Sequence, residues 1–325
     1  MHMTRNPGAF DVITMGETMM AFEAQDFGPL RENVLYKKWI GGAEDNFIIG
    51  LARLGFCCGW FSRLGQDEFG KEILRTIRGE GVDVSRVILD PETQTGVFFV
   101  ESHADGEPRC YYYRRLSAAS RLSPRDVDPE YIKSASVIYA TGITPAISES
   151  ARETIEALFE MSRKNDQLIV FDPNLRLKLW GIDMAREVLI PMMQMSSFVL
   201  PGEEELRLLM DCRDLDGAIQ KAHGMGIKNL VIKRGAAGAV VAISGSHPKD
   251  VPGFILKNPV SSMGAGDCFA AGFVAGLLKK QSLDECVHWG NAMGAFCLMG
   301  RGPYQTLPGF EELQHFLAGK EAISR

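Results

Sequence analysis

The strongest constraint on this chain is a regular alternation of short apolar runs with stretches of helical period. Strand-like runs read at 12–15, 136–140, 168–171, 198–200 and 230–232. They are apolar almost throughout, as expected of strands buried on both faces. Helical patterns lie between them. One covers 46–54, with Gly55 placed to end it, and another covers 68–78, closed by Gly79 and Gly81. A third opens at Ser150, where Ser-Ala-Arg-Glu makes a capping box ending at Glu153. This order predicts an α/β fold class, a three-layer core with a mostly parallel sheet covered on both faces.

One section departs from the alternation. Residues 95–102 and 109–114 both read as strands, and Asp105-Gly106 between them is a hairpin-turn signal. A further extended stretch lies near 21–39. Together they predict a small β-sheet lid, at about 19–40 and 93–116, beside the core. No repeat or low-complexity linker divides the chain, so residues 1–325 are expected to form a single domain.

Bulk properties exclude several classes. The chain is 46% hydrophobic with a net charge of −6 and no basic run. Nucleic acid and anionic membrane are therefore not expected partners. Seven cysteines without a C-x-x-C pair fit neither a disulfide framework nor a zinc cage. No apolar run reaches the roughly 18 to 20 residues of a membrane helix. No signal-length run precedes Asp11 and Glu17. A cytoplasmic location is expected.

The most informative segment runs from Ser261 through Met263-Gly264-Ala265-Gly266-Asp267 to Gly272, after a probable strand at 254–256. A helix follows, with Phe269, Phe273, Val274, Leu277 and Leu278 expected on one face. A Gly-Ala-Gly turn opening a helix presents unpaired backbone N–H groups to an anion, and small side chains let a phosphate approach. Asp267 lies in the first helical turn. It reads either as a carboxylate complementing the helix dipole or as a base beside a phosphate cradle. As a base it needs no raised pKa, and the helix terminus is expected to keep it ionised. No third glycine completes a dinucleotide fingerprint, and no P-loop motif occurs.

Two further segments keep this turn company. Gly41-Gly42-Ala43-Glu44-Asp45-Asn46 opens an early helix, and Arg63-Leu64-Gly65-Gln66-Asp67 lies downstream. With the late Gly-Ala-Gly-Asp turn, these resemble the two signature regions of the ribokinase-like (PfkB) carbohydrate kinases, in the right order over nearly the whole chain. The resemblance implies ATP and Mg²⁺, and admits a monovalent cation. It implies Asp267 as catalytic base, with the backbone of Gly264, Ala265 and Gly266 as anion hole. Lys233, Gly235, Ala236 and Gly238 match the family's nucleotide turn, along with Gly264, Gly266 and Asn291. Taken alone, 233–238 is equally a glycine-containing hairpin, and Asn291 a surface residue. Glu205 matches a glutamate that organises magnesium, often through water. Gly202 stands where that motif has Asn or Ser.

Within the family, Tyr112-Tyr113-Arg114 and Asp172-Pro173-Asn174-Leu175-Arg176 resemble 2-keto-3-deoxygluconate kinases. An arginine after a strand end can clamp a carboxylate bidentately. Arg176 is the candidate, with Arg114 reaching in from the lid. By residue type alone both read first as surface arginines. Gly42, Asn46, Phe98, Tyr112 and Ile143 complete the implied sugar site. The substrate implied is a small sugar or sugar acid, and the implied assembly is a homodimer or higher homo-oligomer through the lid. Besides Gly202, three positions around the sugar pocket depart from the pattern: Ser261 replaces Asp, Phe98 a Tyr, and Pro303 the Asp of Arg-Gly-Asp. A neutral ketose, a nucleoside or 5-keto-2-deoxygluconate is the alternative substrate.

Overall fold

A computed structural model of the protein describes residues 9–102 and 108–319. Among these the early strands are β1 (Phe10–Met15), β2 (Met19–Phe27), β3 (Tyr36–Gly41), β4 (Cys58–Phe61), β5 (Arg63–Gly65), β6 (Ile88–Asp90), β7 (Val97–Ser102) and β8 (Arg109–Tyr113). The later strands are β9 (Ala135–Thr141), β10 (Leu168–Asp172), β11 (Phe198–Val199), β12 (Asn229–Lys233), β13 (Ala239–Ile243) and β14 (Lys249–Val251). The helices are α1 (Ala43–Arg53), α2 (Glu68–Gly79), α3 (Pro129–Lys133), α4 (Thr144–Ile147), α5 (Glu149–Lys164) and α6 (Ile182–Met195). They continue with α7 (Glu203–Met210), α8 (Leu215–Gly224), α9 (Ala265–Leu278), α10 (Leu283–Cys297) and α11 (Phe310–Leu317).

The main sheet has eight strands in the order β14-β13-β12-β11-β10-β9-β1-β4. Strands β12 through β4 run parallel, and β13 and β14 extend the edge by antiparallel pairing. Alternate residues serve opposite layers, because strand side chains point to alternate faces. Ile13, Met15, Ile138, Phe171 and Ile232 pack with residues of α5, α6, α7 and α8. Val12, Val137, Tyr139, Val170 and Val231 pack with α1, α2, α9 and α10. The Tyr139 ring stacks on Phe47 of α1 at 3.6 Å between centroids. This is the expected three-layer core.

The lid is a second sheet in the order β3-β2-β7-β8. Strands β7 and β8 pair antiparallel from Val97↔Tyr113 to Glu101↔Arg109. The Asp105-Gly106 turn lies outside the described residues. One lid face carries Met19, Ala21, Trp39, Phe98 and Val100 as a separate apolar cluster. On the other face Phe22 packs edge-on against Phe69 of α2.

Three local expectations are corrected. The third helix starts at Glu149, capped by Ser148, whose hydroxyl accepts from Ala151 N at 3.0 Å. Ser150 is already inside the helix, so its capping box does not form. Residues 254–256 are not a strand: β14 ends at Val251, and Pro252 has no N–H to continue pairing. Phe254 instead packs on Phe316, while Ile255 is exposed. Helix α9 is not one-faced. Every residue from Asp267 to Gly276 is buried, because α9 is wedged between α1 and α10.

That wedge is made by two glycines. A Cβ on Gly272 would fall 2.4 Å from the Trp289 carbonyl oxygen, and one on Gly276 would fall 2.7 Å from the Cys286 Cα. Both obstacles are α10 backbone, which can yield only if the helix moves. Gly272→Ala is expected to destabilise the protein by about 1–3 kcal/mol through overpacking. Denaturant melts of the two proteins check this; an unchanged midpoint would mean that α10 is free to shift.

Candidate active site

The parallel strands all deliver their ends to one edge of the sheet, where an open α/β sheet places its ligands. Glu17 follows β1, Thr141 ends β9, Asp172 ends β10, Gly202 follows β11 and Lys233 ends β12. Two helix N-termini enter the same region, α1 at Gly42 and α9 at Gly264. Gly264 has φ +81°, the left-handed region. Its Cβ would also lie 2.4 Å from Pro303 Cβ and 3.1 Å from Asn46 Nδ2. At Gly42 the need is space alone, since a Cβ would fall 2.2 Å from the Glu17 carbonyl oxygen.

Asp267 is the third residue of α9 and is buried. Asn46 Nδ2 donates to its Oδ2 at 2.9 Å, and Asn174 Nδ2 donates to its Oδ1 at 3.3 Å. Burial pushes its carboxyl up to about 7; the Asn46 hydrogen bond, Lys233 and Arg176 pull against this, and Asp172 adds to it. This corrects the expectation that the helix terminus keeps the carboxylate fully ionised. A helix N-terminus contributes roughly 0.3–1 kcal/mol, whereas a single unit of pKa is about 1.4 kcal/mol. Loss of water around the carboxylate therefore wins.

Behind Asp267 lies an ion pair. Lys233 Nζ donates to Asp172 Oδ2 at 2.5 Å. Asp172 Oδ1 accepts from Asn174 N at 3.1 Å. Asn174 itself has φ +39°. Glu205 uses both carboxylate oxygens on backbone: Oε2 accepts from Gly202 N at 2.7 Å and Oε1 from Leu175 N at 2.9 Å. Among the described residues no group of three or more His, Cys, Asp or Glu could hold a metal. Glu205 thus has only its remaining lone pairs for the waters of a cation.

Two cavities meet at Asp267. The larger, about 840 Å³, is lined by Lys233, Gly235, Ala236, Gly238, Gly264, Ala265, Gly266, Asn291 and Glu205. The smaller, about 470 Å³, is lined by Gly42, Asn46, Phe98, Tyr112, Arg114, Ile143 and Arg176. Arg176, Met263, Gly264 and Asp267 border both. The residues singled out in the sequence therefore gather around one junction. Asn291 donates to the Pro252 carbonyl at 3.0 Å, so it also pins the loop that walls the larger cavity. Ser261 Oγ accepts from Met263 N at 3.3 Å, capping the approach to the glycine turn.

The smaller cavity is roofed by the lid. Phe98 is buried between Trp39, edge-on at 5.4 Å, and Tyr112, stacked at 5.4 Å. Arg114 makes an ion pair with Glu17 Oε2, and the Ser117 hydroxyl donates to Glu17 Oε1. Arg176 is exposed and makes no ion pair among the described residues. Pro303 lines this cavity and packs on Gly264.

Several participants escaped the sequence reading. Asp172 and Asn174 were read only as part of a motif, yet they hold Lys233 and Asp267. Glu44 is buried, and its Oε1 accepts from Thr141 Oγ1 at 2.8 Å and Thr144 Oγ1 at 2.9 Å. It ties α1 to the end of β9, and burial pushes its carboxyl up. The available signal was Asp-Pro-Asn after a buried strand, residue types that bond backbone at turns.

A bare helix start, a buried carboxylate and two cavities joined at that carboxylate suit the transfer of a phosphoryl group to an alcohol. The pfkB family carbohydrate kinase model matches residues 9–308. The 2-dehydro-3-deoxygluconokinase of Bacillus subtilis is 35% identical over 316 residues, 96% of this chain and 97% of that protein. A 5-dehydro-2-deoxygluconokinase of Clostridium botulinum is 26% identical over 96% of this chain and 94% of that protein. The PfkB protein from Polaromonas sp. JS666 superposes with a TM-score of 0.86 at 36% identity, covering 94% of this chain and 99% of that one. A putative ribokinase II from E. coli, solved with ATP and Mg²⁺, gives 0.88 at 26% identity, covering 95% and 99%. The chain belongs to the pfkB family of carbohydrate kinases. It is a sugar kinase on the ribokinase-like fold. Kinases of this family use ATP with a divalent cation. Among the described residues no helix is long and apolar enough to cross a membrane.

The raised carboxyl of Asp267 sets a pH dependence. Its value of about 7 lies above the ordinary 3.8, so the native state holds a proton that the unfolded chain releases. That stability is full below the ordinary value and is lost as pH rises toward 7. The melting-temperature gain of Asp267→Asn over wild type is expected to grow from pH 4 to pH 7 and then level off. A gain that is flat across this range would remove the buried proton.

Proposed function

We propose that the protein transfers the γ-phosphoryl group of ATP to the terminal hydroxyl of 2-keto-3-deoxygluconate. The observation that carries this reading is Arg176, an unpaired guanidinium at the border of both cavities. It faces a lid-covered chamber that also holds the Tyr112 hydroxyl, and it suits a carboxylate near the acceptor site. Arg114 is already neutralised by Glu17, so it offers hydrogen bonds more than charge.

In this reading the sugar occupies the smaller cavity and the nucleotide the larger. Asn46 and Asn174 hold the Asp267 carboxylate so that its remaining lone pairs face the sugar hydroxyl. Asp267 takes the hydroxyl proton as the new P–O bond forms and the bond to ADP breaks. The unpaired N–H groups at the start of α9 stabilise the charge on the moving phosphoryl oxygens. Lys233 supplies a cation beneath that turn. The larger cavity fits the nucleotide: a Cβ at Gly266 would fall 3.2 Å from Lys233 Nζ, in the space a phosphate needs. Glu205 would hold a magnesium ion through water, and that ion would screen the phosphate charge.

Two supporting proposals follow from the same arrangement. The lid and core act as one domain. The exposed edge strand β8, with Tyr111 and Tyr113 outward, pairs with a second copy to give a cytoplasmic homodimer. A second substrate reading, 5-keto-2-deoxygluconate, is supported by the 5-dehydro-2-deoxygluconokinase relatives; it keeps the carboxylate for Arg176 and differs in where the keto group meets the pocket that Phe98 and Pro303 wall.

Coupled ADP release with ATP and magnesium decides among sugars. Selective turnover of 2-keto-3-deoxygluconate over 5-keto-2-deoxygluconate, fructose and ribose is expected. Turnover of another sugar alone would keep the kinase and refute the substrate. Arg176→Ala is expected to raise the KM for the acid by roughly 10- to 150-fold, from about 1.5–3 kcal/mol for a charged hydrogen bond. A neutral sugar should change far less. Asp267→Asn should keep ATP binding and lose roughly 10²–10⁴ in turnover; full activity would refute the base.

A further inference from the structure

We propose that Asp172 is the positioning residue of this kinase, fixing the cation of the phosphate site and the amide that orients the base through its two carboxylate oxygens. The inference rests on the nucleotide and base assignments just made.

Asp172 is fully buried at the end of β10 and lines neither cavity. It is therefore placed to act through other residues and not on a ligand. Its Oδ2 accepts from Lys233 Nζ at 2.5 Å. Lys233 ends β12, and the strand between, β11, is only two residues long. The Lys233 backbone N–H is fixed by the Pro201 carbonyl at 2.8 Å, so the side chain reaches back over the end of β11 to its partner. That course carries the ammonium beneath Gly266, where a Cβ would lie 3.2 Å from Nζ. An unpaired lysine has a flexible four-carbon stem. Paired with Asp172 it has one position, under the helix start that receives the phosphoryl group.

The other oxygen works on the base. Asp172 Oδ1 accepts from Asn174 N at 3.1 Å, across Pro173. Asn174 holds φ +39°, on the left-handed side that asparagine tolerates better than most residues, and the bond from its N–H to Asp172 helps to keep it there. In that conformation its Nδ2 meets Asp267 Oδ1 at 3.3 Å. One buried carboxylate thus sets the spacing between the phosphate cation and the base. Asn at this position would still accept from Asn174 N through Oδ1 but would turn an NH₂ toward Lys233. Asp172→Asn therefore cuts the lysine arm selectively.

The test is ADP binding by calorimetry on the full chain without sugar, with kinetics beside it. Asp172→Asn and Lys233→Met are each expected to weaken ADP binding by about tenfold, and the double variant by no more than about twofold beyond Lys233→Met, because the two act as one unit. The sugar KM should stay within about twofold while the ATP KM rises. Multiplying effects, or an Asp172→Asn protein with a lower melting temperature but unchanged ADP affinity, would reduce Asp172 to a strut. If Asp172→Asn does not fold, Asp172→Glu keeps the charge but moves its oxygens by one methylene and so displaces the ammonium. A tenfold loss of ADP affinity at unchanged melting temperature supports the proposal, and unchanged affinity overturns it. Wild type that binds no ADP overturns the nucleotide assignment as well, whereas loss confined to the Lys233 variants overturns Asp172 alone.

Discussion

The reacting end of the molecule depends on one turn. Helix α9 must bring its bare N-terminus into the middle of the sheet edge, and Gly264 at φ +81° is what aims it there. The turn touches Pro303 on one side and Asn46 on the other, so a side chain at Gly264 is excluded by space as well as by conformation. The rest of α9 is held equally close. Gly272 and Gly276 let it lie against the backbone of α10, and its flanks are buried on all sides. An anion hole made of backbone N–H groups is useful only if the helix cannot drift. Close packing of small residues supplies that rigidity without any polar interaction.

Rigidity of this kind raises an electrostatic problem. Glu44, Asp45, Asp172 and Asp267 are all buried within one region. Each is pushed up by loss of water, and they differ in how the charge is relieved. Asp172 has a full counter-charge in Lys233, which burial pulls down and Asp172 with Glu205 more than restores. Glu44 has two threonine hydroxyls. Asp45 is raised well above its ordinary range by burial, to which Glu44 and Asp267 add against a Thr18 hydroxyl. Asp267 sits between these limits, with two amide donors and cations at a distance. An intermediate value near neutrality is what a base needs.

Much of this was legible in residue order. Apolar runs at 12–15, 168–171 and 230–232 became β1, β10 and β12 because strands buried on both faces admit little else. The Gly-Ala-Gly turn read as opening a helix is the start of α9, with Gly264 at its cap and Gly266 in its first turn. The misses share a cause. The strand read at 254–256 is locally apolar, but a strand needs a partner, and whether β14 can reach so far is not a local property. The pKa of Asp267 was misjudged because its neighbours Asn46, Asp172 and Asn174 come from distant parts of the chain. Burial by remote residues leaves no mark in the helix that carries the carboxylate. Likewise Asp172 reads only as part of a motif until the fold puts Lys233 two strands away, across the short end of β11.

The lid shows how the same buried charges reach the sugar. Glu17 stands where β1 gives way to β2, the first lid strand, and Arg114 follows β8, the last. Their ion pair fastens the two ends of the lid together at the core, with Ser117 on the second oxygen. There is no room for a larger residue at this clasp, since a Cβ on Gly96 would fall 2.8 Å from Glu17 Oε1. The sheet is then held from both sides, by Phe22 against Phe69 outside and by Trp39 and Phe98 over the cavity inside. An apolar roof fixed this way keeps water from competing with the sugar hydroxyl for the phosphoryl group. On the proposed reading it leaves Arg176, with Lys178 beside it, as cations of this cavity that make no ion pair among the described residues. The proposed specificity would then follow from which arginine is already neutralised: Glu17 pairs with Arg114, and the segment after β10 carries Arg176 to the cavity without an ion pair among the described residues.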